Sequence, residues 1–194
     1  MTVSITVRRI AQTRRELAAA AARLFIERGY EATTVEDIAA AAGISPRTFF
    51  RYLTAKEEVI DDVLEESVAL FTAALDARPR TEPLLESLRA AGRKSLARAI
   101  DEGTVALFAV VRRTPALRAR WLARYNRYTD LIASCLRERL GEADNAVTAD
   151  LGAGALIGMM TTVVDHFADA SSEQLAEVLD TSFAHFVHGF ACRE

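Results

Sequence analysis

Cysteine, proline and long apolar runs are all scarce in this 194-residue chain, which has two cysteines and four prolines. Cys135, inside a helical stretch, and Cys192, near the C-terminus, are too few for a disulfide framework. Redox sensing is the one role open to them, inert packing the alternative. No uncharged apolar run reaches membrane-spanning length, and Met1–Val7 is too short for a signal peptide and is followed by arginines without a cleavage site. A cytoplasmic protein with no membrane partner is expected. Histidine is also scarce: His185 and His188 form an i,i+3 pair and Asp165 precedes His166, but no further ligands stand at a metal-binding spacing. No glycine-rich phosphate loop follows a strand, and no Ser-His-Asp or Cys-His arrangement is suggested. The chain is therefore expected to hold no metal or cofactor and not to be an enzyme.

What the chain does have is helix. Hydrophobic residues make up 51%, enough for a core in one or two domains. Residues 34 to 56 carry the most information. Thr34 can cap a helix, with Asp37 placed to answer it, and Val35, Ile38, Ala39 and Ala42 fall on one apolar stripe before Gly43 ends the helix. Ile44 plugs the turn, Ser45 caps a second helix and Pro46 occupies its first position. Phe49 and Leu53 face the first helix, leaving Pro46, Arg47, Thr48, Phe50, Arg51 and Tyr52 outward or flanking. This is a helix-turn-helix whose second helix suits a DNA major groove. Arginine can donate two parallel hydrogen bonds to guanine, and Arg47 and Arg51 lie one turn apart. A helical hairpin with solvated arginines is the bland alternative.

The surroundings favour DNA. Thr13-Arg-Arg-Glu16 reads as a capping box opening a first helix, with Leu17, Ala21, Leu24 and Phe25 on its apolar face and Gly29 at its end. Thr54-Ala-Lys-Glu57 reads as another box, placing Lys56 in the first turn of a fourth helix, where it can meet a phosphate. The whole chain has a formal net charge of -3, yet Met1 to Lys56 holds nine basic residues against five acidic ones, a net of +4. The remainder, 15 basic and 22 acidic, stands at -7. A basic head attracts phosphates and an acidic body discourages adhesion elsewhere. Arg8, Arg9, Arg14 and Arg15 read as a basic arm able to follow the DNA backbone or enter a minor groove, with a frayed terminus as the alternative.

Residues 10 to 60, through Thr13–Gly29, the run from Tyr30 to Ser45 and Lys56-Glu-Glu, resemble the tetracycline-repressor (TetR) family of bacterial transcriptional regulators. The resemblance implies an all-α homodimer with an N-terminal three-helix DNA-binding domain (1–54) and a C-terminal helical domain (55–194) that binds a small molecule and dimerises. Carried over by position, Ser45, Pro46, Arg47, Thr48, Phe50, Arg51, Tyr52 and Lys56 fall in the DNA-binding set, with Thr33 or Thr34 as a phosphate contact. The family often has Tyr where this chain has Phe50, and His-Phe where it has Tyr52-Leu53. The hydroxyl missing at Phe50 is worth about 1 kcal/mol net, and Tyr52 can supply a replacement.

Beyond Lys56, turn signals divide the chain into helices near 55–77, 83–101, 104–113, 115–140, 145–169 and 172–191, with Pro115 and the Ser171/Gln174 pair as helix starts. The last two helices are expected to dimerise. Gly152, Gly154 and Gly158 each cost about 1 kcal/mol relative to alanine inside a helix, and close approach of a partner helix offsets that. Leu179, Phe183 and Phe186 are the expected interface residues of the last helix; packing within one subunit is the alternative. Trp121, Tyr125 and Tyr128 share one helix face, and Phe71, Phe108, Met159, Met160 and Phe167 join them as candidate lining of an apolar ligand cavity. The segment from Arg112 to Tyr125 also resembles mycofactocin-type regulators, which implies an acyl-thioester-like ligand, with Arg113, Arg118, Arg120 and Arg124 toward its anionic head. Solvated arginines are the competing reading. The expected function is a DNA-binding regulator, a ligand-responsive repressor that grips a palindromic duplex operator as a dimer and is released by a small, largely apolar effector. The other class is a helical small-molecule-binding protein or enzyme with a vestigial head.

Overall fold

A computed structural model describes residues 5–101, 103–140, 146–167 and 171–191. Regular structure among them is entirely helical: α1 (Ile5–Arg28), α2 (Val35–Ala41), α3 (Pro46–Tyr52), a 3₁₀ turn (Lys56–Glu58), α4 (Val59–Asp76), α5 (Leu84–Asp101), α6 (Thr104–Arg113), α7 (Pro115–Leu140), α8 (Ala146–Phe167) and α9 (Ser172–Ala191). None of these is long and apolar enough to cross a membrane. The helices cluster into two units. The first takes the described residues up to Glu65 together with Ala106–Ala123, the second Glu66–Val105 together with those from Arg124 onward.

In the first unit α1, α2 and α3 pack on one another. Leu17, Ala21, Leu24 and Phe25 of α1, Ile38 and Ala39 of α2, and Phe49 and Leu53 around α3 form its buried core. Each large side chain buried there stabilises the fold by about 1.5–3 kcal/mol relative to exposure. Gly29, at φ +83°, reverses the chain after α1.

Two of the expected helix starts are corrected. α1 begins at Ile5, well before Thr13, because residues 5–28 contain no glycine or proline to stop it. Inside that continuous helix the Thr13 hydroxyl donates to the Arg9 carbonyl (3.0 Å), and Glu16 accepts from the Gln12 amide (2.9 Å). The basic arm is thus helical from Ile5, with Arg8, Arg9 and Arg15 exposed. At the fourth helix the 3₁₀ turn moves the cap one residue on. Thr54 N–H and Oγ1 donate to Glu58 (2.9 and 2.7 Å), while Glu57 accepts from the Tyr30 hydroxyl (2.6 Å). Burial and the Glu57 carboxylate both push the Tyr30 phenol well above its ordinary range.

In the second unit α9 packs on α5 and α8. Phe183 of α9 is 0% exposed and stacks on Phe71 with ring centroids 6.4 Å apart. It fits because residue 92 of α5 is glycine: a Cβ there would stand 2.4 Å from the Phe183 ring. Leu179 and Phe186 are also buried. These three residues, expected between subunits, are therefore packed against their own chain. Gly154 takes the Tyr125 hydroxyl on its carbonyl (3.2 Å), so it too serves an intrachain approach, of α7 to α8. Gly158 is exposed with open space around its Cα.

The Ser171/Gln174 box closes reciprocally at 3.0 and 3.2 Å and opens α9 as expected. Cys135 is buried and its Sγ donates to Asp76 Oδ1 (2.8 Å); burial, then the Asp76 carboxylate, pushes the thiol up to about 12. A thiol held that high carries almost no thiolate at neutral pH, which argues for inert packing at this position. Cys192 and the turn expected at Gly141 lie outside the described residues.

Candidate nucleic-acid interface

The site is built from two caps and a turn. Thr34 closes a reciprocal capping box with Asp37: its Oγ1 accepts from the Asp37 N–H (3.1 Å), and its own N–H donates to Oδ2 (2.9 Å). The Thr34 hydroxyl, which also donates to Oδ2 (2.7 Å), and then the Thr34 N–H hold the Asp37 carboxyl below its ordinary range. α2 is capped by Ala42, Gly43 takes φ +69°, and Ile44 N–H returns to the Ala39 carbonyl (2.9 Å). Ser45 Oγ then accepts from the Thr48 N–H (3.1 Å), with Pro46 in the first turn of α3. Both ends of the turn are thus fixed by short-range chemistry alone.

On α3 the inner side is sealed, Phe49 being 0% exposed and Leu53 1%. Pro46, Arg47, Phe50 and Arg51 are exposed, Thr48 and Tyr52 half-buried. Phe50 is 54% exposed, unusual for an aromatic without a partner surface, and meets Phe49 edge-on. Arg51 donates to the Tyr52 hydroxyl (3.2 Å), which holds that phenol below its ordinary range. The face therefore presents two exposed guanidiniums, one ordered by its neighbour, around an apolar ring.

Thr33 and Lys56 face inward. Thr33 is 1% exposed and its hydroxyl donates to the Gly29 carbonyl (2.8 Å), closing the end of α1. Its side chain is out of a phosphate's reach, so the choice between Thr33 and Thr34 falls to exposed Thr34. Lys56 Nζ donates to the Tyr30 and Thr33 carbonyls (2.8 and 2.9 Å) and lies 3.9 Å from the Tyr30 ring centroid. Two of its three N–H donors thus tie down the loop between α1 and α2. Lys56→Ala is expected to lower stability by about 1–3 kcal/mol, through charged hydrogen bonds and the cation–π contact. Urea unfolding checks this; an unchanged midpoint would return Lys56 to a pure phosphate role.

Behind α3 stands a set of ion pairs that sequence spacing does not reveal. Arg14 of α1 donates from Nη1 to the Tyr52 carbonyl (2.8 Å) and from Nε to Asp62 (3.0 Å). Arg120 of α7 forks onto Asp61, Nε to Oδ1 at 3.0 Å and Nη2 to Oδ2 at 2.6 Å, with Glu58 Oε1 3.4 Å away. Arg120, expected toward a ligand's anionic head, is therefore engaged with carboxylates of its own chain. Asp61 and Arg120 lie 59 positions apart, beyond any local pattern.

Among the candidate ligand residues, Phe108 and Trp121 are half-buried in the first unit. In the second unit Tyr125, Met159 and Met160 are half-buried, while Tyr128 is buried and Phe71 belongs to the stack with Phe183. The Phe167 side chain lies outside the described residues. No group of three or more His, Cys, Asp or Glu among the described residues is arranged to hold a metal ion.

Against known proteins, a family model for bacterial regulatory proteins of the tetR family matches residues 17–63, and one for the MftR C-terminal domain matches residues 82–191. The chain is 38% identical over 142 residues to the HTH-type transcriptional regulator TcmR of Streptomyces glaucescens, covering 69% of this chain and 63% of that relative's length. It is 28% identical over 181 residues to the putative mycofactocin biosynthesis transcriptional regulator MftR of Mycobacterium tuberculosis, covering 91% and 90% of the two chains. Among solved structures it resembles Thermus thermophilus FadR, a TetR-family transcriptional repressor in complex with lauroyl-CoA. That match has 27% identity and a TM-score of 0.58 over 93% of this chain and 96% of that one.

Proposed function

Since the chain belongs to the tetracycline-repressor (TetR) family, with an MftR-type C-terminal domain, we propose that this DNA-binding transcriptional regulator is a ligand-responsive repressor that grips a palindromic operator as a homodimer. The outward face of α3 carries the reading: Arg47, Phe50 and Arg51 are exposed on a helix sealed beneath by Phe49 and Leu53. One guanidinium reads guanine O6 and N7 while the other holds a phosphate, and Phe50 packs on a thymine methyl or a sugar. Thr34, Ser45, Pro46, Thr48 and Tyr52 border that face. A regulator of this kind needs no catalytic step, and its relatives named above are regulators.

For the second subunit the supporting feature is a stripe on α8. Val147 (55% exposed), Leu151 (61%) and exposed Gly158 and Thr162 recur at helical spacing, an apolar and small-residue face of the kind that meets a partner helix. Leu151→Glu places a charge where the single chain has open solvent. Light scattering is expected to find a monomer with helix content retained; a dimer like the parent would remove this stripe from the interface.

The effector we propose is small and largely apolar, of the acyl-thioester class, with half-buried Tyr125, Met159 and Met160 among its contacts. By linkage it releases DNA only through its different affinities for two states, typically 5- to 150-fold. Titrating the protein–DNA complex with lauroyl-CoA, and in parallel with free coenzyme A, tests this by fluorescence anisotropy. Release by the acylated compound alone supports the class; a complex indifferent to both removes it.

A further inference from the structure

The Arg120 cluster reaches the recognition helix in three steps. Arg120 forks onto Asp61, which is 6% exposed, and its Nη2 stands 3.4 Å from Glu58. Glu58 accepts both the N–H and the hydroxyl of Thr54. Thr54 directly follows Leu53, the C-cap of α3. The core of the helix-turn-helix is closed by Leu17, Phe25, Ile38, Phe49 and Leu53 and does not need Arg120 for its packing. What Arg120 adds is a charge-assisted, bidentate link to a carboxylate that would be costly to leave buried without a counter-charge. It also ties α7 to the carboxylates that follow α3, whose last carbonyl Arg14 holds from α1. The Arg120 guanidinium is itself held to its charge first of all by the Asp61 hydrogen bond.

We propose that Arg120 is a positioning residue for DNA recognition: the closed Arg120–Asp61–Glu58–Thr54 cluster sets the end of α3 in its reading geometry, and displacement of α7 opens it. This rests on the reading of α3 as the DNA-contacting helix.

The test compares full-length wild type with Arg120→Gln, Arg120→Lys, Asp61→Asn and the Asp61→Asn/Arg120→Gln double variant. Amide exchange at residues 49–54 is read alongside affinity for a duplex selected by the wild-type protein. Arg120→Gln is expected to speed exchange at 49–54 by about tenfold while the amides of Leu17 to Phe25 keep their rates. It is expected to weaken DNA binding roughly 5- to 100-fold, with the double variant no weaker than the single. Arg120→Lys restores part of both. Because the double variant leaves no buried unpaired carboxylate at 61, it stays informative where Arg120→Gln misfolds. Unchanged exchange at 49–54, or exchange that rises equally in α1, overturns the proposal by making Arg120 irrelevant or merely structural. Local exchange that changes as expected in a protein that selects no duplex keeps the link to α3 and overturns the DNA reading instead.

Discussion

Full-length protein carrying Arg47→Ala and Arg51→Ala together is expected to lose specific DNA binding and keep its fold. An arginine that reads a base is worth about 1–3 kcal/mol. One such reader in each of the two subunits comes to about 2–6 kcal/mol, or roughly 30-fold to more than 10,000-fold in affinity, with the lost phosphate contacts adding to it. The fold is spared because both side chains are exposed and Arg51 donates to the hydroxyl of the neighbouring Tyr52 rather than to the core. Exposed substitutions of this kind usually change stability by no more than about 0.5 kcal/mol. Anisotropy against the parent's selected duplex, with circular dichroism as the fold control, reads both effects. The single variants divide the work: the base reader relaxes preference at one symmetric pair of positions, whereas a phosphate contact weakens all sequences alike and flattens the salt dependence. A double variant that binds as the parent does would take α3 out of the interface.

The second large effect belongs to the body. Phe183→Ala is expected to destabilise the protein by about 3–5 kcal/mol, the usual consequence of emptying a fully buried aromatic site. The Phe183 ring is 0% exposed, stacked on Phe71 and seated over Gly92. Gly92→Ala should also destabilise, despite the helix propensity it adds, since the new Cβ would stand 2.4 Å from the ring and force a fully buried side chain out of its stack on Phe71. Urea unfolding at two protein concentrations distinguishes the core from an interface. A core deficit is the same at both, whereas loss of an intersubunit contact grows on dilution. A concentration-dependent deficit would put Phe183 back between subunits.

How much of this was legible in the sequence depended on range. Where a helix boundary is set within four residues, the residues announce it: Thr34 with Asp37, Ser45 with Pro46, Ser171 with Gln174, and Pro115 all open helices at the places their chemistry suggests. The same vocabulary misled at Thr13/Glu16. A threonine and a glutamate three apart have ready alternatives inside a longer helix, and Arg9 and Gln12 supply them. At Thr54 the box was displaced to Glu58 because Tyr30, far back in the chain, takes Glu57. The outward face of α3 was legible because its period is local; the inward turn of Lys56 was not, since its partners are carbonyls 26 and 23 residues earlier. The phenylalanines of α9 show the same limit. Amphipathic spacing marks which residues are buried, but not against what, and the deciding residue, Gly92, lies in another helix.

The central claim is that a dimer reads DNA through two copies of α3. It is tested most directly by selecting bound duplexes from a fully randomised pool with the full-length protein at near-physiological salt and sequencing them. The expected result is an inverted repeat whose half-sites lie about one helical turn, 34–36 Å, apart, with guanines at the positions lost in the Arg47→Ala or Arg51→Ala variant. A pool that emerges unenriched, or enriched in a lone half-site bound by a single chain, would contradict it.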